Sequence, residues 1–446
     1  MEIYVHIPFC QRKCAYCDFL SFPADADTKK KYMKALLTEI RDFPCDPPME
    51  VSSIYIGGGT PSFIYAEAVA EILQTIRERF VVDGDAEISM EANPGTVTAD
   101  KLALYRKAGV NRISFGCQSA DAGELKELGR IHTWPQFQES FRLAREMGFT
   151  NINVDLMSGI PGQTEESWEK TLRAVAEMGP EHISAYSLIL EEGTPLYRQY
   201  IEQKNILDTG VTQKEMISIL RRKHAAEHGQ ENRQADDKRD IQAADGNREI
   251  WQAGDREICL ADSRQESRQA DGEQVCNAGG RWLPDEETER LMYDRTAEIL
   301  ASYGYHQYEI SNYAREGYAC RHNIGYWTGV PYVGMGLGAS SYMSRTRYRN
   351  TSDLDRYCRD CSLGRKWQAL NDKDMMAEFM ILGLRMTDGV SEDEFLHRFG
   401  KTADRVYGDV IRHYTDLGLL ERENGRIRLT RRGISLSNTV MADFLP

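Results

Sequence analysis

The chain lacks a long apolar run. Its longest stretch without Asp, Glu, Lys or Arg spans residues 322–344, and Gly, Pro and polar side chains interrupt it. A helix spanning a bilayer is therefore not expected. The N-terminus lacks a basic segment before an apolar one, reading Met1, Glu2, Ile3, Tyr4. No secretory signal is read there, and the expected compartment is the cytoplasm. Positive charge is in deficit: 55 Lys and Arg against 69 Asp and Glu give −14. That balance argues against a general polyanion binder, because affinity for nucleic acid comes mainly from neutralised phosphates. The 446 residues suggest two to four domains at about 100–200 residues each.

One segment lacks the means to build a core. Of the 59 residues 225–283, eight are Leu, Ile, Val, Phe, Met, Trp or Tyr, and thirteen acidic against eight basic residues give −5. The short motif Gln-Ala-Asp recurs imperfectly, ending at Asp236, Asp245, Asp255 and Asp271. Such a segment cannot offset its ordering entropy, and a disordered, solvated insertion is expected. A solenoid would need an apolar face that is not there.

What the rest contains is strand–helix alternation. Strands are expected at 2–7, 51–56, 86–91, 111–115, 151–156 and 182–190. In the first helical segment Tyr32, Leu36, Ile40 and Phe43 share a face, with Thr28 as N-cap. Alternation of this kind calls for an α/β fold with a parallel sheet. Six such units suit either a barrel or an open sheet. The division expected is a core over 1–224, the insertion, the remainder of the core over 284–371, and a small mostly helical unit over 372–446. In that last unit Asn424 and Gly425 mark a type I′ turn between two short strands, giving a winged-helix outline. Arg422, Arg426, Arg428, Arg431 and Arg432 form a basic patch beside it. Nucleic-acid binding there remains a weak alternative against the acidic balance.

The strongest chemical signal is CxxxCxxC at Cys10, Cys14 and Cys17, directly after the first strand. Thiols in a reducing compartment are metal or catalytic candidates when clustered. Three soft thiolates select zinc, Cu(I) or an iron–sulfur cluster. Structural zinc would want a fourth Cys or His, and none is paired nearby. A cubane held by three Cys leaves one iron open.

This arrangement resembles the radical S-adenosylmethionine (SAM) superfamily, whose fold is a partial (β/α)6 barrel. The resemblance implies a 4Fe–4S cluster on Cys10, Cys14 and Cys17, with SAM chelating the open iron and cleaved there to a 5′-deoxyadenosyl radical. Further residues match the family's order. Gly57, Gly58, Gly59 and Thr60 sit at the end of the second strand, where glycine permits close backbone approach. Glu91, Gln118, Arg130 and Asp155 fall at or just beyond strand ends, the face where parallel α/β folds bind ligands. Arg130 could fork a carboxylate, Gln118 and Asp155 could hold ribose hydroxyls, and Glu91 an amine or hydroxyl. Tyr4 and Tyr16 join them as cofactor-site candidates, while His6 reads equally as a satisfied core residue.

Tyr4, His6, Pro8 and Cys10 are similar to the opening of the oxygen-independent coproporphyrinogen III oxidase group. Those oxidases carry a further Cys two residues after the third ligand, and here that position is Phe19. The chain thus resembles the sister branch, the heme chaperones. His322, Asn323, Tyr326 and Trp327 form HNxxYW, the motif that branch associates with heme. The resemblance implies heme as cargo with His322 as its candidate ligand, heme-accepting apoproteins as partners, and an electron donor for the cluster. Cys320 precedes His322 by two residues, which is not the CxxCH attachment pattern, and Cys358 and Cys361 read as incidental. The competing expectation is the oxidase itself.

Overall fold

The computed structural model describes residues 1–202, 252–253, 256–257 and 283–446. The insertion read over 225–283 lies outside the described residues, apart from residue 283 and a two-residue ladder, Gln252–Ala253 with Arg256–Glu257.

The expected alternation is present. Strand β1 (Glu2–Ile7) leads to helix α1 (Ala26–Asp42), β2 (Glu50–Gly58) to α2 (Ala66–Arg79), and β3 (Val81–Ala92) to α3 (Ala99–Ala108). Then come β4 (Arg112–Gln118), α4 (Ala122–Glu127), α5 (Trp134–Glu146), β5 (Ile152–Ser158), α6 (Glu165–Glu177) and β6 (His182–Ser187). Neighbouring strands from β1 to β6 pair in parallel, in sequence order. All six residues of β1 are buried, as expected of a parallel strand covered on both faces.

Helix α1 starts earlier than its sequence suggested. Its N-cap is Asp25, whose carboxylate accepts from the Thr28 N–H at 2.7 Å; Thr28 lies inside the first turn. A carboxylate at a helix N-terminus also meets the positive end of the dipole. Tyr32, Leu36, Ile40 and Phe43 do share the buried face.

Beyond residue 283, α7 (Glu286–Ser302) packs on α6, with Trp168 Nε1 donating to Thr296 Oγ1 at 2.9 Å. Strands β7 (His306–Glu309) and β8 (Asn312–Ala314) extend the sheet past β6, antiparallel. Helix α8 (Arg321–Trp327) then crosses to β9 (Tyr332–Met335), which pairs in parallel with β1. Strands β10 (Ser340–Met343), β11 (Thr346–Arg349) and β12 (Lys366–Ala369) complete that side. Among the described residues the twelve-stranded sheet runs from β12 to β7, and those edges do not pair with each other. The sheet is therefore not closed into a full barrel, in keeping with the partial barrel that the resemblance implies.

The C-terminal region has its own core around Met380, Phe395 and Ile427. Helices α9 (Asp372–Gly383), α10 (Glu392–Phe399) and α11 (Ala403–Asp416) pack with a three-stranded sheet of β13 (Val390–Ser391), β14 (Leu420–Glu423) and β15 (Arg426–Leu429). The turn between β14 and β15 places Asn424 and Gly425 at φ of 52° and 73°, as a type I′ turn requires. The basic patch is largely paired: Arg422 bonds Glu392 and Asp404, Arg428 bonds Glu421 and Glu423, and Arg431 bonds Asp294 and Glu298. Those guanidinium groups are already engaged by carboxylates, which leaves less charge for a phosphate backbone.

Candidate functional site at the strand ends

The loop from β1 to α1 is pinned along its length. Cys10 N–H donates to Phe22 O and Phe22 N–H to Pro8 O, closing the base at 3.1 and 2.9 Å. Midway, Ala15 N–H donates to Leu128 O at 3.0 Å and Ala15 O accepts from Leu196 N–H at 2.9 Å. The three cysteines are thereby presented on a short constrained arch. Cys10 is buried, and Cys14 and Cys17 are half-buried. Burial pushes the Cys17 thiol up to about 11, and neighbouring Cys14 adds to that.

A polar chain ties the arch to the strand ends. Thr60 Oγ1 approaches Cys10 Sγ at 3.4 Å, and Asn93 Nδ2 donates to Thr60 Oγ1 at 2.9 Å. Arg130 Nη2 donates to Asn93 Oδ1 at 3.0 Å and to Gly116 O, while Nη1 lies 3.5 Å from Cys14 Sγ. The fork of Arg130 therefore grips protein groups rather than standing open, and only its Nε is buried without a partner. Asn93 was not singled out from sequence; its position just past β3 was the available signal.

Among the described residues, no three His, Cys, Asp or Glu side chains gather as ligands of a single metal ion. A cubane cluster spreads its cysteines over separate irons. The donor set here, three thiols on one pinned arch with a cation beside them, fits such a cluster.

The glycines make the close approach that their type allows. A Cβ on Gly59 would meet Phe9 N and O at 2.9 Å, and Gly58 has φ +110° with the His6 ring where a Cβ would stand. Glu91 accepts from Gly58 N–H at 3.1 Å and from Tyr55 Oη at 2.9 Å. Gln118 ends β4 in the left-handed region at φ 70°, a conformation that non-glycine residues adopt mainly where surroundings enforce it. Its Oε1 accepts from Tyr186 Oη at 3.0 Å. Asp155 accepts from Ser114 Oγ at 3.0 Å and from Asn153 Nδ2 at 2.8 Å. Tyr16 is half-buried against Leu128, Met157 and Ile160. Cys10, Cys14, Cys17, Tyr16, Gly58, Gly59, Thr60, Glu91, Gln118, Arg130 and Asp155 thus gather at one end of the parallel strands.

Tyr4 and His322 reach this end through Tyr55, the partner of Glu91: their rings stack on that of Tyr55 with centroids 6.3 and 5.2 Å away. Tyr4 Oη bonds His6 Nδ1 at 2.9 Å, and His6 Nε2 bonds Leu20 O at 2.9 Å. His322 is 1% exposed, and both ring nitrogens are engaged, Nδ1 with Ser53 Oγ at 2.8 Å and Nε2 with Tyr326 Oη at 3.3 Å. In this arrangement the imidazole offers no free nitrogen to an iron. Glu87 on β3 accepts from the N–H groups of Arg321 and His322 and from Cys320 Sγ, capping α8. Burial raises Glu87, but Arg112 and these donors outweigh it and hold its carboxyl below the ordinary range. A Cβ on Gly325 would overlap the Glu2 carboxylate, so this motif packs tightly onto β1.

The chain matches the radical SAM superfamily over residues 4–175 and the HemN C-terminal domain over 370–436. It is 30% identical to "Heme chaperone HemW" of Bacillus subtilis, over 99% of this chain and 98% of the other. The chain belongs to the heme chaperone family of the radical SAM superfamily. The Escherichia coli heme chaperone is also 30% identical, over 100% and 98%, and that of Lactococcus lactis 29%, over 99% and 96%. The solved structure of Escherichia coli coproporphyrinogen III oxidase superposes with TM-score 0.71 at 21% identity, covering 99% of this chain and 89% of the other. That likeness shows the same fold. Membership of the superfamily implies a 4Fe–4S cluster and SAM for this heme chaperone relative. Among the described residues no helix is long and apolar enough to cross a membrane.

Proposed function

We propose that the protein binds heme and passes it to acceptor apoproteins, on a scaffold that holds a 4Fe–4S cluster and SAM. The observation that carries this reading is the full-length similarity to heme chaperones, joined to Phe19 where the oxidases have cysteine. Phe19 is 42% exposed beside the cysteine arch, so the position is open to solvent yet holds no thiol.

Cys10, Cys14 and Cys17 would hold the cluster, with Thr60 and Arg130 steadying two of their sulfurs. Gly58, Gly59, Glu91, Gln118 and Asp155 would border SAM. When bound, the cluster and SAM supply one-electron chemistry, for which an electron donor is a further partner. The cytoplasm is the compartment in which such a cluster and reduced thiols would persist. Anaerobic reconstitution of the full chain followed by heme titration tests the reading. Saturation near one heme per chain is expected. Failure to bind heme at micromolar concentrations would overturn it.

A further inference from the structure

A cavity of about 570 Å³ opens between α8 and β9 on the core side and α9 and α10 on the C-terminal side. That is within the roughly 300–1,000 Å³ of pockets that take cofactor-sized ligands. The aromatic half of HNxxYW lines it, Tyr326 and Trp327, and Tyr332, Tyr342 and Phe379 join them. Met375, Met376 and Leu382 add apolar wall. The charged lining is four cations, Arg345, Arg347, Arg398 and Lys401, against Asp372 and Glu378. A net +2 there stands out in a chain of −14. Arg347 is paired with Glu378 at 2.8 Å, Arg345 with Asp372 and Arg398 with Glu394 on its own helix, while Lys401 has no ion-pair partner among the described residues. The indole N–H of Trp327, 4% exposed, is buried without an acceptor. Flat apolar walls, a cationic rim and an unanswered donor suit a planar apolar ligand with two carboxylates.

We infer that heme is seated in this cavity, with its propionates toward Arg398 and Lys401 and His397 as axial ligand. This rests on the chaperone reading above. His397 is exposed and supplies an imidazole to the lining, whereas both nitrogens of His322 are engaged. His322 is then a positioning residue, holding Tyr326 from behind.

The test uses the anaerobically reconstituted full chain, with heme and heme dimethyl ester as probes. Wild type should bind heme more tightly than the diester, which lacks the anionic propionates. Arg398→Glu combined with Lys401→Glu should weaken heme at least tenfold and leave the diester unchanged. His397→Ala should shift the Soret band. All three residues are exposed, and unchanged far-UV circular dichroism and thermal unfolding, with retained cluster absorbance, confirm that both regions stay folded. Wild-type heme affinity in the double charge reversal would overturn the cavity, and a wild-type spectrum in His397→Ala would overturn the ligand. If wild type itself binds no heme, the chaperone reading fails. If it binds heme while every variant binds alike, the cavity alone fails.

Discussion

The imidazole of His322 stacks on the ring of Tyr55, centroids 5.2 Å apart and planes inclined by 23°. Tyr55 in turn donates its hydroxyl to Glu91, which holds the Gly58 N–H. One side chain thus joins the HNxxYW motif to the glycine stretch at the strand ends. Tyr55→Phe keeps the stack and removes the hydroxyl. A hydrogen bond to a charged group contributes about 1.5–3 kcal/mol, so SAM affinity should fall about tenfold or more in calorimetric titration while heme affinity holds. Equal SAM affinity in both proteins would break the proposed link.

His322→Ala removes a buried ring, its bonds to Ser53 and Tyr326 and its stack. A cost of about 2–4 kcal/mol in folding stability is expected, measurable by denaturant titration. Heme affinity should drop as Tyr326 loses its support, with the Soret maximum unmoved. A shifted Soret band would return His322 to the role of iron ligand.

Cys10, Cys14 and Cys17 replaced together by Ala should abolish the visible absorption of the reconstituted cluster and its EPR signal on reduction. Four irons per chain in that variant would remove the arch from the cluster site.

Glu2 is buried, with Oε2 lacking a hydrogen-bond partner and lying 3.8 Å from His322 Nδ1. Burial pushes its carboxyl up to about 8 from 4.5. Between those values the folded chain keeps a proton that the unfolded chain has lost, so stability falls as pH rises through this window. His6 and His322 act on the acid side. Burial lowers them to about 4 and about 3 from 6.5, so their contribution is present above 6.5 and lost as pH falls. Glu2→Gln should flatten the decline between pH 4.5 and 8 and stabilise the protein at pH 8 by about 2–4 kcal/mol. Thermal unfolding across pH checks this, and an unchanged pH profile would show that Glu2 is not the group responsible.

The cysteine spacing and the strand pattern were legible because both are local in sequence. Strand β1 was read with its observed ends, and the Asn424–Gly425 turn follows from the φ those residues accept. Asn93, Tyr55 and Glu87 escaped notice because their importance lies in partners far along the chain. Glu87 caps a helix more than 230 residues later. The same limit applies to His322: its motif is visible, but burial by Ser53, Tyr55 and Tyr326 comes from the assembled sheet. The start of α1 was misplaced because Asp25 and Thr28 both carry capping side chains, and only the bond between them decides which one caps.

The most direct measurement of the central claim places two assays side by side on one preparation: heme titration and coproporphyrinogen III decarboxylation, with cluster, SAM and reductant present. The account predicts saturable heme binding near one per chain and no decarboxylated product. Robust decarboxylation by the wild-type protein would contradict it and return the chain to oxidase chemistry.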